Sequence, residues 1–544
     1  MAKNKALPSL PTGIQDFEKL RTGGHLYVDK TQYLVDLIDS GSVYFLSRPR
    51  RFGKSLTVST LDALFSNRID LFAGLYAAEY MSGPRFTPCP VIRIDMSKAE
   101  TNRGIELLEY SMLVIIKRNA ERYGVTIDET SPGIALGSLI SVLSLRTGRV
   151  AVLVDEYDKP IRDSLGDIEH ARVVRESLRN VYSQIKAADD KTQFVLFTGV
   201  SKYTKTGVFS AMNNLVDISM DKKYSQMLGY TQEELEYYFA LHLARAAAET
   251  GADPKEMLAE MANYYEGFSF DGYKRVYNPF SVLNFLREGD FRNYWIDSGQ
   301  STFITDYMTK HKLSLEEFRG KSVPLSFSST TEIERAAPES FLYQTGYLTL
   351  RERVEPKADL PLSERTKRRR YLLDYPNREV LSSMGELFIS EVCGLGMDSF
   401  DLSDGLTNAF NRGDINEVVS LFNNLLGSVT YNPFDSTEKF YHALLYSITL
   451  AAGIDARPDD PSRAGTHEIA VSGKNCVYIV EIKSAIQERP VYDSETETIL
   501  EEIRQNTYDG RYGSRPVHRI VLAIDGKTNR IAGHLGIWSN TSAA

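Results

Sequence analysis

The sequence predicts two α/β folding units joined by helix-rich sequence, and three observations carry that prediction. Short β-branched runs alternate with helical stretches between Val43 and Phe197, the pattern turns helical after Tyr224, and strand-like runs return beyond Phe434. In the first unit the runs are Val43–Ser47, Val91–Asp95, Val150–Val154 and Phe194–Phe197, short and β-branched, which reads as a parallel sheet covered by helices. Between them lie Ser55–Phe65, Ile105–Tyr123 and Ile168–Ala187, the last two long enough to cross back over a parallel sheet. Helical segments Gln232–Thr250 and Pro254–Tyr265, then a turn-laden Gly267-Phe-Ser-Phe-Asp-Gly-Tyr273, read as a small lid. The stretch from about Asn278 to Thr430 reads as more helical, and its basic run Arg365–Arg370 as a solvated loop. In the last unit a helix at Glu438–Ala452 precedes strands at His467–Val471, Val477–Lys483 and Arg519–Ile524, with a helix at Ser494–Tyr508.

Composition narrows the class. A chain of 544 residues has room for three or four domains of about 100–200 residues each. With 42% hydrophobic and 25% charged residues and no long apolar stretch, it reads as soluble, with no membrane partner. The first residues lack the apolar core of a secretory signal, and Cys89, Cys393 and Cys476 have neither disulfide-like nor metal-like spacing, so a reducing cytoplasm is expected. A net charge of -9 excludes indiscriminate coating of nucleic acid but allows a local basic surface.

Two motifs in the first unit carry chemistry. After an apolar strand comes Arg48-Pro-Arg-Arg-Phe-Gly53-Lys54-Ser55, opening a helix. Binding a nucleoside triphosphate requires backbone N–H groups around the phosphates, a lysine for the β and γ phosphates and a hydroxyl for magnesium, all at a helix start. Gly53, Lys54 and Ser55 meet that need, and the contact span runs through Arg50, Arg51, Phe52 and Leu56. Arg48 stands where the general eight-residue pattern has its first glycine. Further on, Val152-Leu-Val-Asp155-Glu156 ends a strand in two carboxylates, Asp155 for magnesium and Glu156 to polarise the attacking water. Thr198 and Ser201 follow another strand, as γ-phosphate sensors or as helix caps. Arg50 and Arg51 have three readings: phosphate contacts, contacts to a neighbouring subunit, or solvated loop side chains. ATP and Mg2+ are the cofactors these motifs imply.

Tyr27–Thr31, Arg48–Ser55, Val154–Asp158, Thr198–Ser201 and Tyr277–Ser281 together resemble the AAA-ATPase-like family, whose members commonly carry a C-terminal PD-(D/E)XK nuclease domain. The resemblance spans nearly the whole chain, and that family too has arginine at the position of Arg48. It implies an α/β P-loop NTPase core of ASCE/AAA-like type with a helical lid, a helical middle region and a restriction-endonuclease-like α/β domain. The corresponding boundaries are 1–225, 226–300, 301–430 and 431–544. It also implies that Tyr27–Thr31 lies near the nucleotide and that Tyr277–Ser281 belongs to the lid.

A restriction-type nuclease gathers carboxylates around magnesium beside a lysine that stabilises charge building on the phosphate. Glu481 and Lys483 are alternate residues of one strand, Glu468 lies on the strand before, and Glu438 lies on the preceding helix, four residues from His442. The expected metal ligands are thus Glu438, Glu468 and Glu481, with Lys483 as catalytic cation. Where the superfamily usually shows Gly-Arg-x-Asp this chain reads Gly465-Thr-His-Glu468, and the usual glutamine of the following helix is Glu502. Two readings therefore stand: an ATPase coupled to a metal-dependent nuclease acting on DNA or RNA, in defence or mobile-element biology, and a nucleotide-switched scaffold whose C-terminal domain only binds nucleic acid. Homo-oligomerisation is left open by the sequence.

Overall fold

A computed structural model describes residues 7–101, 104–202, 208–209, 212–297, 308–328, 337–392, 394, 399–429, 437–458, 468–485, 515–525, 528 and 530–539. The chain divides into two compact units, Met1–Arg292 with Ser322–Asn377, and Asn293–Lys321 with Arg378–Ala544.

The first unit is built on a parallel sheet of β1 (Val43–Ser47), β2 (Val91–Asp95), β3 (Val150–Asp155), β4 (Thr192–Gly199) and β5 (Val216–Asp217), in the order β2-β3-β4-β1-β5. The apolar character of β1, β3 and β4, which are buried almost throughout, has its cause here, since helices cover both faces. Val152, Phe45 and Phe197 are fully buried, packed with Leu139 of the helix Pro132–Thr147 and with Leu178 and Tyr182 of the helix Ile168–Ala187. The strand order is that expected of an ASCE-type P-loop core. It inserts β4 between β1 and β3, so the loops leaving these three strands emerge side by side at one end of the sheet.

Beyond the core, the helix Gln232–Tyr238 starts with a Thr231–Glu234 capping box, and the run to Thr250 is two helices, broken at Phe239. The helix Pro254–Tyr265 leads into a short antiparallel pair, β6 (Phe268–Ser269) and β7 (Arg275–Val276), and then the helix Pro279–Glu288, capped by Asn278. The next stretch departs from the helical reading. β8 (Ser322–Pro324), β9 (Thr349–Val354) and β10 (Arg370–Asp374) form an antiparallel sheet in the order β8-β10-β9. Its strands are short and half charged, and a register shift after Leu372 breaks the alternation, so the period-two signal is weak.

The second unit carries a mixed sheet in the order β11-β12-β13-β14-β15, from β11 (Ala456–Pro458), β12 (Glu468–Ser472), β13 (Val477–Ala485), β14 (Val517–Asp525) and β15 (Arg530–Ser539). Only β13 and β14 run parallel. The helix Thr437–Ala451 packs on β12 and β13. The expected helix at Ser494–Tyr508, with Glu502, lies outside the described residues.

Gly267, before β6, has φ 106, and a Cβ there would lie 1.8 Å from the carbonyl oxygen of Pro376. Both the backbone conformation and the space exclude a side chain. Gly267→Ala is expected to destabilise the first unit by at least about 2 kcal/mol. A shift in the urea midpoint with unchanged slope measures it, and an unchanged midpoint would show that the contact relaxes freely.

Candidate functional site

The loop after β1 turns at two left-handed residues, Arg51 (φ 69) and Gly53 (φ 90), and Gly53 caps the helix Lys54–Phe65. Arg48, in the glycine position, is only 1% exposed. Its guanidinium donates to the carbonyl oxygens of Ser219 at 2.6 Å and Tyr224 at 3.1 Å and lies 3.9 Å from the centroid of Phe270. Burial lowers its pKa to about 10. Phe52 meets Phe268 and Phe270 edge to face, with centroids 4.9 and 5.7 Å apart. The loop's shape is thus held from outside by aromatic side chains on and beside β6, so an arginine anchored to carbonyls replaces the freedom of a glycine.

Lys54 is buried, and its ammonium donates to the carbonyl oxygens of Arg48 and Pro49, both at 2.8 Å. Desolvation pulls its pKa down to about 8 against the opposing pull of Glu156, Asp155 and Asp158. Ser55 and Leu56 occupy the first helical turn, half-buried. Arg51 is exposed, its guanidinium 4.6 Å from the centroid of Phe280, in the turn assigned to the lid. Arg50 is half-buried, and burial lowers its pKa together with the nearby positive charge of Arg162.

Opposite this loop, Thr198 at the end of β4 is fully buried and donates its hydroxyl to Asp155 Oδ1 at 2.6 Å, the atom that also accepts from Glu156 N at 3.1 Å. The Thr198 hydroxyl therefore orients the carboxylate that ends β3 and is no helix cap. Glu156 sits at φ 50, an uncommon conformation for a glutamate, held by that bond and by Tyr157 N donating to Thr198 O at 3.0 Å. A hydroxyl at a helix start and a carboxylate at a strand end are oxygen donors of the kind magnesium prefers, so the chemistry of Ser55 and Asp155 fits that ion.

Sequence reasoning missed two further residues. Asp158, fully buried, accepts from the backbone N–H groups of Val200 at 3.2 Å and Ser201 at 2.8 Å. Arg162, four residues on, pairs with Asp158 at 2.9 Å and reaches Glu156 at 3.6 Å. Their i, i+4 spacing on an acidic-to-basic turn was the available signal. Ser201 thus takes part through its backbone and is buried. Tyr27–Thr31 braces the helix bearing Lys54 and the helix Gln232–Tyr238. Tyr27 hydrogen-bonds with Thr60 of that helix, Asp29 accepts from Tyr76 N at 2.8 Å, and Lys30 pairs with Glu234 at 2.6 Å.

In the second unit, strand register places Glu468 opposite Glu481. Glu481 is half-buried on β13, while the side chains of Glu438, Glu468 and Lys483 lie outside the described residues. His442 is buried and bonded to Glu316 Oε1 at 3.1 Å, so it anchors its helix. Among the described residues no helix is long and apolar enough to cross a membrane.

The model of a predicted AAA-ATPase, the AAA-ATPase-like family, matches residues 11–209, and that of the PD-(D/E)XK nuclease superfamily matches 436–533. A protein of Azotobacter chroococcum mcd 1, described as "Uncharacterized protein in vnfD 5'region", is 32% identical over 533 residues, covering 96% of this chain and 98% of that one. The solved structure of the Aeropyrum pernix ORC2 protein, in ADPNP-ADP complexes, aligns over 84% of this chain and 90% of its own at 12% identity, with a TM-score of 0.27, too slight a likeness to bear on function.

The buried Lys54 charge makes a pH-dependent prediction. Its pKa in the folded protein, about 8, lies below the ordinary 10.5, so between these values the unfolded chain binds more protons and stability rises with pH. Below that window the burden on the nucleotide-free protein is full, on the order of 3 kcal/mol. Lys54→Met is therefore expected to be more stable than wild type at pH 7 by roughly 1–3 kcal/mol, with the gap closing as pH rises from about 8 to about 10.5. Denaturation at stepped pH measures this; a constant gap would mean that the ammonium carries no such burden.

Proposed function

Because this chain belongs to the AAA-ATPase-like family and ends in a PD-(D/E)XK nuclease superfamily domain, we propose that it binds and hydrolyses ATP to govern a metal-dependent nuclease-like domain acting on DNA or RNA. The observation that carries the ATPase half is the insertion of β4 between β1 and β3. This brings Lys54 within electrostatic reach of Asp155 and Glu156 while Thr198 orients Asp155. In this reading Lys54 and the backbone of Arg50–Leu56 hold the phosphates, Ser55 and Asp155 hold magnesium, and Glu156 orients the attacking water. Magnesium, when bound, neutralises charge on the phosphates. Arg162 steadies the Glu156 carboxylate, and Arg50 faces the same cluster.

The division of labour assigns nucleotide chemistry to 1–225, a lid to 226–300, coupling to 301–430 and nucleic-acid processing to 431–544. Glu468 and Glu481, opposite each other in register, would share a metal with Glu438, and Lys483 would act on the transition state. The setting is cytoplasmic, in defence or mobile-element biology. The Thr466-His-Glu468 sequence, in place of the usual arginine and aspartate, supports a second reading in which this domain binds nucleic acid without cutting it and the chain is a nucleotide-switched scaffold.

Lys54→Ala is expected to lower ATP affinity at least about tenfold, while Glu156→Gln keeps affinity and lowers the hydrolysis rate about a hundredfold or more, the range for loss of a general base. Fluorescent-nucleotide titration and phosphate release separate the two. Undiminished affinity in the first, or an unchanged rate in the second, removes the corresponding role. For the C-terminal site, Glu481→Ala should abolish cleavage of labelled DNA or RNA in magnesium or manganese, and Lys483→Ala should slow it with metal binding retained. Wild-type protein that cuts neither nucleic acid, with or without ATP, would favour the scaffold reading.

A further inference from the structure

The basic run Arg365–Arg370, which reads from sequence as a solvated loop, is ordered in the structure. It forms the end of a helix, Leu362–Arg368, and the start of β10, the central strand of the antiparallel sheet. That helix has seven residues and no buried side chain, so neither its length nor apolar packing accounts for it. What it does is hold positive charge in one place.

The charge is not neutralised from within. Between 349 and 374 there are eight lysines and arginines against five aspartates and glutamates, in a chain whose net charge is -9. Glu364 is shared by Lys367 at 3.7 Å and Arg368 at 3.5 Å, and Glu355 by Arg353 at 2.6 Å and Arg369 at 3.4 Å. Two carboxylates thus serve four cations. Arg370 has the neutral Ser322 as its hydrogen-bond partner, at 3.3 and 3.4 Å. Lys367 and Arg368 keep 75% and 63% of their side-chain surface in water, and Arg370 is exposed as well. Exposed pairs of this kind are weak, so an incoming anion displaces them easily.

We propose that this corner of the β8-β10-β9 sheet is a docking surface for the phosphate backbone of nucleic acid, with Lys367, Arg368 and Arg370 as its contacts. The inference rests on the nucleic-acid reading above and identifies a place in the first unit where the substrate is held. Four consecutive residues span at most about 14 Å. Over that length one DNA strand presents about four phosphates at 3.4 Å spacing, a charge density that an acidic protein surface rarely matches. Contacts of this kind position a nucleic acid without reading its sequence.

The test uses the full-length chain and anisotropy of a labelled duplex of about 30 base pairs, with single-stranded DNA and RNA in parallel, from about 50 to 200 mM salt. The variant Lys367→Ala/Arg368→Ala/Arg370→Ala is expected to bind at least about tenfold more weakly, with the slope of log affinity against log salt shallower by about 2 to 3. A control, Arg118→Ala/Arg172→Ala/Lys255→Ala, removes the same charge at exposed positions on three helices of the same unit and should lose less than about threefold. Should the triple variant fold poorly, Lys367→Ala alone, at a side chain 75% exposed, should still flatten the slope by about 1. Equal losses in the patch and control variants, or an unchanged slope, would overturn the assignment while leaving the nucleic-acid reading intact. Competition by poly-glutamate as effective, per charge, as nucleic acid would make the partner an acidic protein and overturn it too. Wild-type protein that binds no nucleic acid would bring down both the assignment and the reading beneath it.

Discussion

A buried carboxylate, Asp158, holds together the two loops on which the proposed nucleotide site depends. An ionised group with no exposure costs several kcal/mol to bury unless it is fully paired. Asp158 meets two backbone N–H groups from the loop after β4 and the guanidinium of Arg162. The consequence is mechanical: the loop after β3 is tied to the loop after β4. Thr198 at the end of β4 then orients Asp155 at the end of β3, and Glu156 is kept in a left-handed conformation that its own backbone disfavours.

The same logic explains a P-loop turn without the first glycine of the general pattern. A glycine there lets the chain turn freely; Arg48 instead uses carbonyl acceptors at Ser219 and Tyr224 and the face of Phe270 to hold the turn from outside. The aromatic pair on and beside β6 grips Phe52, so the turn-rich segment after the helix Pro254–Tyr265 is structurally part of the loop it lies against. Lys54, with its ammonium on the carbonyls of Arg48 and Pro49, is held by the very loop whose phosphates it is proposed to meet. In the second unit a corresponding constraint is strand register, which sets Glu468 against Glu481 across neighbouring strands. His442, four residues from Glu438 on the same helix, is committed to Glu316.

Strands β1 to β4, the helix starting at Lys54, the Asp155–Glu156 pair and the two-part α/β organisation were legible because each writes a local signal: an apolar run, a glycine-lysine-serine at a helix start, carboxylates at a strand end. The boundaries of Ile168–Ala187 and Pro254–Tyr265 were readable for the same reason, as amphipathic periodicity between capping residues. What stayed hidden was non-local. No spacing rule tells that β4 enters between β1 and β3, that Asp158 reaches the backbone beyond β4, or that Arg48 finds its acceptors some 170 residues away. The β8-β10-β9 sheet was hidden too, because β8 is only three residues long and the charged β9 and β10 lack the alternation that marks a strand with one buried face. The sequence by itself determined the chemical types and local placement of the residues proposed for nucleotide chemistry, since composition and spacing set them. Only the tertiary structure decided which of them meet, because strand order and the burial of single charges depend on packing across the whole unit.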